Sequence, residues 1–370
     1  MADQTISVGS RDWLSPDGCV AGIARRSEAV MIPVAALLVG LALFSLFLLT
    51  QGKSPVEYFS LVYKAGFGTA FSWQNTLSRA APLLFAALCV ALPARLGLVV
   101  IGGEGAIVLG GVAVGALTIP LLNVPAGIVW PIFFVAGGLA GALWIGAIGA
   151  MRHFRGVNET IASLLMAYIA IALMNHLVEG PFRDPTSLNK PSTTSLPDNL
   201  RIGDMPGFDV HWGLALGILC CIAAWVLMER TTLGFSARIA GGNVRAAQVQ
   251  GLPVGRLIIG FTALGGCMAG LAGVFEVAAV HGSANASLAT GYGYTGILIA
   301  FLARHNPLAI IPVTILLAGF EASSGLVQRR MDLPDASTLV LQGMVFTVIL
   351  ISDSVYGRLK IFAPERWRTG

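Results

Sequence analysis

A chain of 370 residues that is 55% hydrophobic, 11% charged and +4 in net charge lies far from soluble domains, where about a quarter of residues are charged. That composition excludes a soluble globular enzyme. The positive charge is spread over loops, so it marks topology and argues against a nucleic-acid partner.

Near the N-terminus, Arg25-Arg26 precede an apolar run from Val30 to Thr50. The run is too long for a signal peptide and lacks a small-residue cleavage pattern, so it reads as a retained first span behind a tail over 1–29. Gly52-Lys53-Ser54 has the ending of a phosphate-binding loop, but Phe47 stands at the upstream glycine position, so this chain is not expected to bind ATP. Windows of about 20 apolar residues predict further spans near 76–95, 98–120, 125–150 and 160–180. The third span carries Ile101-Gly102-Gly103-Glu104-Gly105, a glycine-interrupted stretch with a carboxylate in it. An ionised carboxylate inside a span costs about 2.5–3.5 kcal/mol on insertion scales. Glu104 therefore needs a partner, such as Arg95 or a backbone amide, or a water-filled path. Gly137 and Gly141, like Gly266 and Gly270 later, are spaced for close helix approach. Asn158 and Glu159 suit a helix N-cap and its first turn.

Residues 181–210 are rich in Pro, Ser, Thr, Asn and Asp without an amphipathic period, which predicts an external loop. A span near 211–228 follows, then a polar stretch from Glu229 to Arg256 that carries Arg230, Arg238, Arg245 and Arg256. Within it Asn243 can cap a helix over Val244–Gln250, which Gly251 and Pro253 end. Two turns are unstable alone in water, where roughly 12 to 15 residues are needed, so this helix needs a surface to dock on. Its expected exposed face, Ala246, Ala247, Gln248 and Gln250, is small and polar and suits a protein groove better than lipid headgroups.

The run Thr231-Thr232-Leu233-Gly234-Phe235, followed by Arg238, Gly241, Asn243, Ala246, Ala247, Gly251 and Leu252, resembles the membrane-spanning subunits of bacterial ABC importers. The similarity is to the simple-sugar and nucleoside permeases of the branched-chain/ribose-type superfamily. Val157-Asn158-Glu159, Ala167-Tyr168, Asn175-His176 and Glu179 through Pro185 resemble its nucleoside-type branch. The resemblance implies that 229–256 is a cytoplasmic coupling loop, in which Gly234, Arg238, Gly241, Asn243, Arg245, Ala246, Ala247 and Gly251 couple to a separate ATPase. It also implies that ATP and Mg are bound by that partner, leaving no cofactor in this chain. A second homologous permease, giving a heterodimer, and a periplasmic or lipoprotein substrate-binding protein complete the expected assembly. This chain departs from the family's usual Asn-Ile-Gly-x-Glu-Gly-Gln by having Val100 and Ala106 at the two amide positions.

Spans are predicted near 257–281, 307–326 and 337–352, with a shorter apolar segment at 292–303. About 12 helical residues rise only roughly 18 Å, so that segment is expected to be a half-helix or re-entrant piece with an extended lead-in. It opens in Thr290-Gly291-Tyr292-Gly293-Tyr294-Thr295-Gly296, a second glycine-broken stretch about half a chain length from the first. Broken segments at comparable places in two halves point to a translocation path. Gly102, Gly103, Glu104, Gly105, Asn175, Gly291, Tyr292 and Tyr294 are its expected lining. Asn75, His176, Glu276, Glu321 and Gln342 add polar groups near the spans, an interior suited to a neutral polar solute such as a nucleoside, purine or simple sugar. The five cysteines, Cys19, Cys89, Cys220, Cys221 and Cys267, form no CxxC pair and read as small core residues.

The fold expected is an all-α polytopic membrane protein of about ten membrane segments, with a permease domain over 30–352 between tails at 1–29 and 353–370. Ten segments place both termini on one side. Fifteen of the 23 Lys and Arg fall on that side, which makes both termini cytoplasmic, and the family resemblance implies the bacterial inner membrane. The competing class is an ion-gradient-driven secondary transporter using Glu104, Glu276 and Glu321, which leaves the docking helix without a role.

Overall fold

Spans predicted from hydropathy alone are realised here as helices, three of them opened by side-chain caps from Thr69, Asn158 and Asn306. The computed structural model describes residues 16–187, 190–334 and 336–355, with side chains described from 31 to 352 within those ranges. Residues 1–15 and 356–370 of the expected tails, and the side chains of Cys19, Arg25 and Arg26, lie outside that description. The helices are α1 (Pro16–Thr50), α2 (Pro55–Gly66), α3 (Ala70–Ala94), α4 (Gly103–Leu121), α5 (Ala126–Arg155) and α6 (Glu159–Glu179). After the long loop come α7 (Gly213–Arg230), α8 (Thr232–Gly242), α9 (Val244–Val249), α10 (Val254–Phe275), α11 (Tyr292–Leu302), α12 (Pro307–Met331) and α13 (Ala336–Val355). Among the described residues no strand forms, and eight helices are long and apolar enough to cross a membrane. Segments 286–302 and 336–352 are shorter apolar helices.

The chain divides into two units, one of residues 1–55 with 339–370 and one of 56–338. In the first, α1 buries Ala36, Gly40, Phe44 and Leu48 at four-residue spacing, the stripe expected of one helical face. A Cβ added at Gly40 would lie 2.9 Å from Val345 Cα, so the helices touch backbone to backbone there.

In the second unit α10 is the hub, packed on α3, α4 and α5. Its contact with α5 is a meeting of small residues. A Cβ on Gly141 would overlap the Gly266 carbonyl oxygen, and one on Gly270 would overlap that of Gly137. The two small-residue repeats therefore face each other and let the backbones close. Gly141→Ala should cost more than the about 1–3 kcal/mol of ordinary overpacking, because the obstacle is backbone. Thermal unfolding in detergent reads this directly, and an unchanged midpoint would contradict the packing described.

The described residues 190–210 of the long loop pair with the chain that follows α10. Thr193 donates to Ala284 O at 2.9 Å, Leu196 to Gly282 O at 2.7 Å and Ile202 to Ala278 O at 2.9 Å. Leu196, Leu200, Ile202 and Val210 are buried. The end of α10 that this loop covers continues as a π-helical turn, Glu276–His281, a form found mostly as a local bulge within helices. Of the cysteines, Cys89 and Cys221 are buried and Cys220 and Cys267 half-buried, and all four are free thiols.

Candidate functional site

Two places on the 56–338 unit gather the residues singled out by the sequence. The first is the polar end formed by α8 and α9. Asn243 Oδ1 accepts the Ala246 N–H at 3.0 Å, and Gly251 ends the helix at φ +77°, a left-handed conformation that favours glycine. The expected cap and stop are both present, with α9 closing one residue early at Val249.

Preceding it, α8 is an 11-residue helix absent from the sequence reading. Thr231 Oγ1 caps it by accepting the Gly234 N–H at 3.2 Å. A Cβ on Gly234 would overlap the Leu227 and Met228 carbonyls, which fixes the bend from α7. Arg238 donates to Met228 O at 3.1 Å and to Glu229 Oε2 at 3.0 Å, and Arg95 reaches Glu229 Oε1 at 2.9 Å. One carboxylate thus ties the α3–α4 turn to α8. Gly241 packs against the Arg95 carbonyl.

These contacts sort the residues expected to couple. Gly234, Arg238 and Gly241 hold the loop to the bundle. Ala247, expected on the exposed face, is fully buried, because the helix rests that side on the protein. Asn243, Arg245, Ala246, Gln248 and Gln250 are exposed. Beside them stand apolar side chains that the sequence reading missed: Val249 at 88%, Phe235 at 63% and Leu233 at 54% exposed. The outward face is therefore mixed, with Val249 standing out into solvent among the polar residues.

Neighbouring turns lie at this same end. Thr160 Oγ1 donates to Val99 O at 3.0 Å, and Asn158 Oδ1 caps α6 by accepting from Thr160 and Ile161. Arg152 pairs with Glu159 at 3.3 Å. His305 sits by Arg95 and Arg304; burial, then these two charges, push its pKa down to about 4, so it is neutral at pH 7. Arginine-bearing turns from four places in the chain thus converge.

The second place lies inside the bundle, where the two glycine-broken stretches meet. Glu104, 1% exposed, accepts the Gly291 N–H at 2.7 Å on Oε1 and the Gly293 N–H at 2.6 Å on Oε2. Gly291, at φ +94°, begins α11 with no side-chain cap of its own. A carboxylate 187 residues away supplies it, as the exposed amides and dipole at a helix N-terminus favour. Of the partners expected for Glu104, backbone amides are the ones found, and Arg95 is engaged by Glu229. A Cβ on Gly293 would overlap the Glu104 amide nitrogen, so the helix starts abut.

The other residues expected to line a path divide by helical position. Gly102 packs on Ser163, and Gly105 on Ala167 and Ala170. Gly103 lies against Cys89 and Gly293. Asn175 is half-buried on later turns of α6, beyond this contact. Tyr292 packs against the buried core cluster, whereas Tyr294, two residues on and so on another face, is 40% exposed. Glu276 lies 3.2 Å from His281 Nδ1. Glu321 accepts from Thr295 Oγ1 at 3.1 Å.

Comparison with known proteins accords with this arrangement. The family described as branched-chain amino acid transport system / permease component matches residues 72–350. A glucose ABC transporter permease protein of Haloferax volcanii is 30% identical over 332 residues, 87% of each chain. A guanosine ABC transporter permease protein of Bacillus subtilis is 28% identical over 360 residues, covering 91% of this chain and 99% of its own. A nucleoside ABC transporter permease protein of Lactococcus lactis is 22% identical over 332 residues, 87% of this chain and 91% of its own.

Proposed function

This chain belongs to the permease component family of the branched-chain amino acid transport system, and from that premise we propose how it works as the membrane subunit of an ATP-driven importer. It is a multi-pass inner-membrane protein. ATPase and substrate-binding partners follow from the importer class.

In our reading α9 is the coupling helix. The carrying observation is its geometry: two turns, capped by Asn243, seated through buried Ala247 and presenting Val249, Arg245 and Ala246 outward. Loop 229–256 then faces the cytoplasm, both termini lie on that side of ten segments, and loop 181–210 meets the binding protein outside. A second, related permease completes the pore. ATP and Mg reside in the partner ATPase, and this chain hydrolyses nothing. The solute is a nucleoside, purine or simple sugar, in keeping with the solutes that the relatives' names give and with an interior of paired polar groups.

Movement of α9 reaches the spans through Glu229, which holds α8 and the turn after α3 together. Near that turn, Glu104 joins the starts of α4 and α11. Reorienting α3 against α10 would therefore carry both broken segments as one piece. Glu104, Glu276 and Glu321 all have protein partners, so an ion-driven mechanism gains no support from them.

The orientation is tested by membrane-impermeant thiol labelling in a cysteine-free background. Ser187→Cys should label in intact cells and Ala246→Cys only after the membrane is opened. The reverse pattern would sink the assignment of sides.

A further inference from the structure

At the end of α3 away from Arg95 lies a cavity of about 590 Å³ between α2, the start of α3 and the end of α12. Its lining includes Lys64, Arg79 and Arg329, with Asn75, Ser72 and Gln328 and no carboxylate. Among the described residues none of the three cations makes an ion pair. Two of them are held in place by neutral groups: Arg79 Nε bonds Asn75 Oδ1 at 3.5 Å and Arg329 Nε bonds Gly325 O at 3.1 Å. Those bonds use one donor each and leave the rest of each guanidinium fork for another acceptor.

We propose that this cavity is an oxyanion site, which takes the phosphate or carboxylate of a small molecule or of a lipid headgroup. Three like charges around one concavity raise its potential and attract a counter-anion, the more so beside low-dielectric walls. Two arginines provide planar forks that match oxyanion geometry. The volume falls within the range of about 300–1,000 Å³ usual for small-molecule sites. Since α3 begins here, its N-terminal dipole adds to the same field. The inference stands apart from the transport reading, since it concerns binding to the full chain without ATP.

The test is equilibrium binding of radiolabelled inorganic phosphate at low salt to the full-length chain in phosphatidylcholine nanodiscs. Saturable binding is expected, weakened about tenfold by Arg79→Gln and by Arg329→Gln, the loss typical of a charge-assisted contact worth about 1.4 kcal/mol. Both arginines are exposed, so neither change threatens folding. Arg330→Gln, adjacent but outside the lining, should leave binding unchanged. Repeating the titration with phosphatidylglycerol in the disc separates the sources. Competition identifies a lipid headgroup as the occupant, and its absence identifies a soluble oxyanion. No saturable binding to the unaltered chain, or equal weakening by Arg330→Gln, would overturn the site.

Discussion

Glu104→Ala should destabilise the 56–338 unit by about 3–5 kcal/mol, because it strands the part-buried Gly291 and buried Gly293 amides at about 1–3 kcal/mol each and leaves a cavity. The acceptor it removes serves Gly291 and Gly293 together, so the start of α11 should loosen before the rest of the bundle. Glu104→Gln keeps one carbonyl acceptor but sets an NH2 group against an N–H, and should cost less. In both variants thermal stability and solute uptake should fall together. A Glu104→Gln protein that keeps its unfolding midpoint yet loses uptake would instead make Glu104 a solute contact, and the capping account would be wrong.

A carboxylate placed on the outer face of α9 should separate coupling from folding. Val249→Glu and Arg245→Glu change exposed side chains and should leave insertion and unfolding intact. Uptake should drop about tenfold or more, as expected when an interface loses a contact worth at least about 1.4 kcal/mol. Arg238→Glu should behave differently. It sets a carboxylate against Glu229, which already holds Arg95, so the loop itself should come apart and stability should fall. Normal uptake in Val249→Glu would count heavily against α9 as the coupling element.

How far the sequence could be read depended on the range of each signal. The α9 cap, Asn243 bonded three residues on, and its glycine stop are local, and both are found as expected. The short α11 was legible because an apolar run of that length cannot span. Gly137, Gly141, Gly266 and Gly270 carried a packing signal in their spacing, although their mutual contact joins helices far apart in sequence. What was not legible is non-local or chemically mixed. Helix α8 contains Gly234, Gly241 and Gly242, a composition that argues against a helix until Arg238 is seen docked on Glu229. The exposure of Val249 and the burial of Ala247 depend on which face meets the bundle. That Glu104 caps a helix 187 residues away has no trace in spacing. Loop 181–210 read as irregular because its order comes from backbone bonds to 278–284, which leave no pattern in side chains.

Whether α9 seats in an ATP-hydrolysing partner is tested most directly by a cross-link from Val249, which is 88% exposed. The full-length chain with Val249→Cys, purified in gentle detergent from its own organism, would be treated with a short bifunctional thiol reagent and the adduct identified by mass spectrometry. One adduct between position 249 and an ATPase subunit, with a yield that changes on adding ATP, is the predicted result. A chain that purifies without an ATPase, or a position 249 that links only to lipid or to itself while the ATPase is present, would contradict the account.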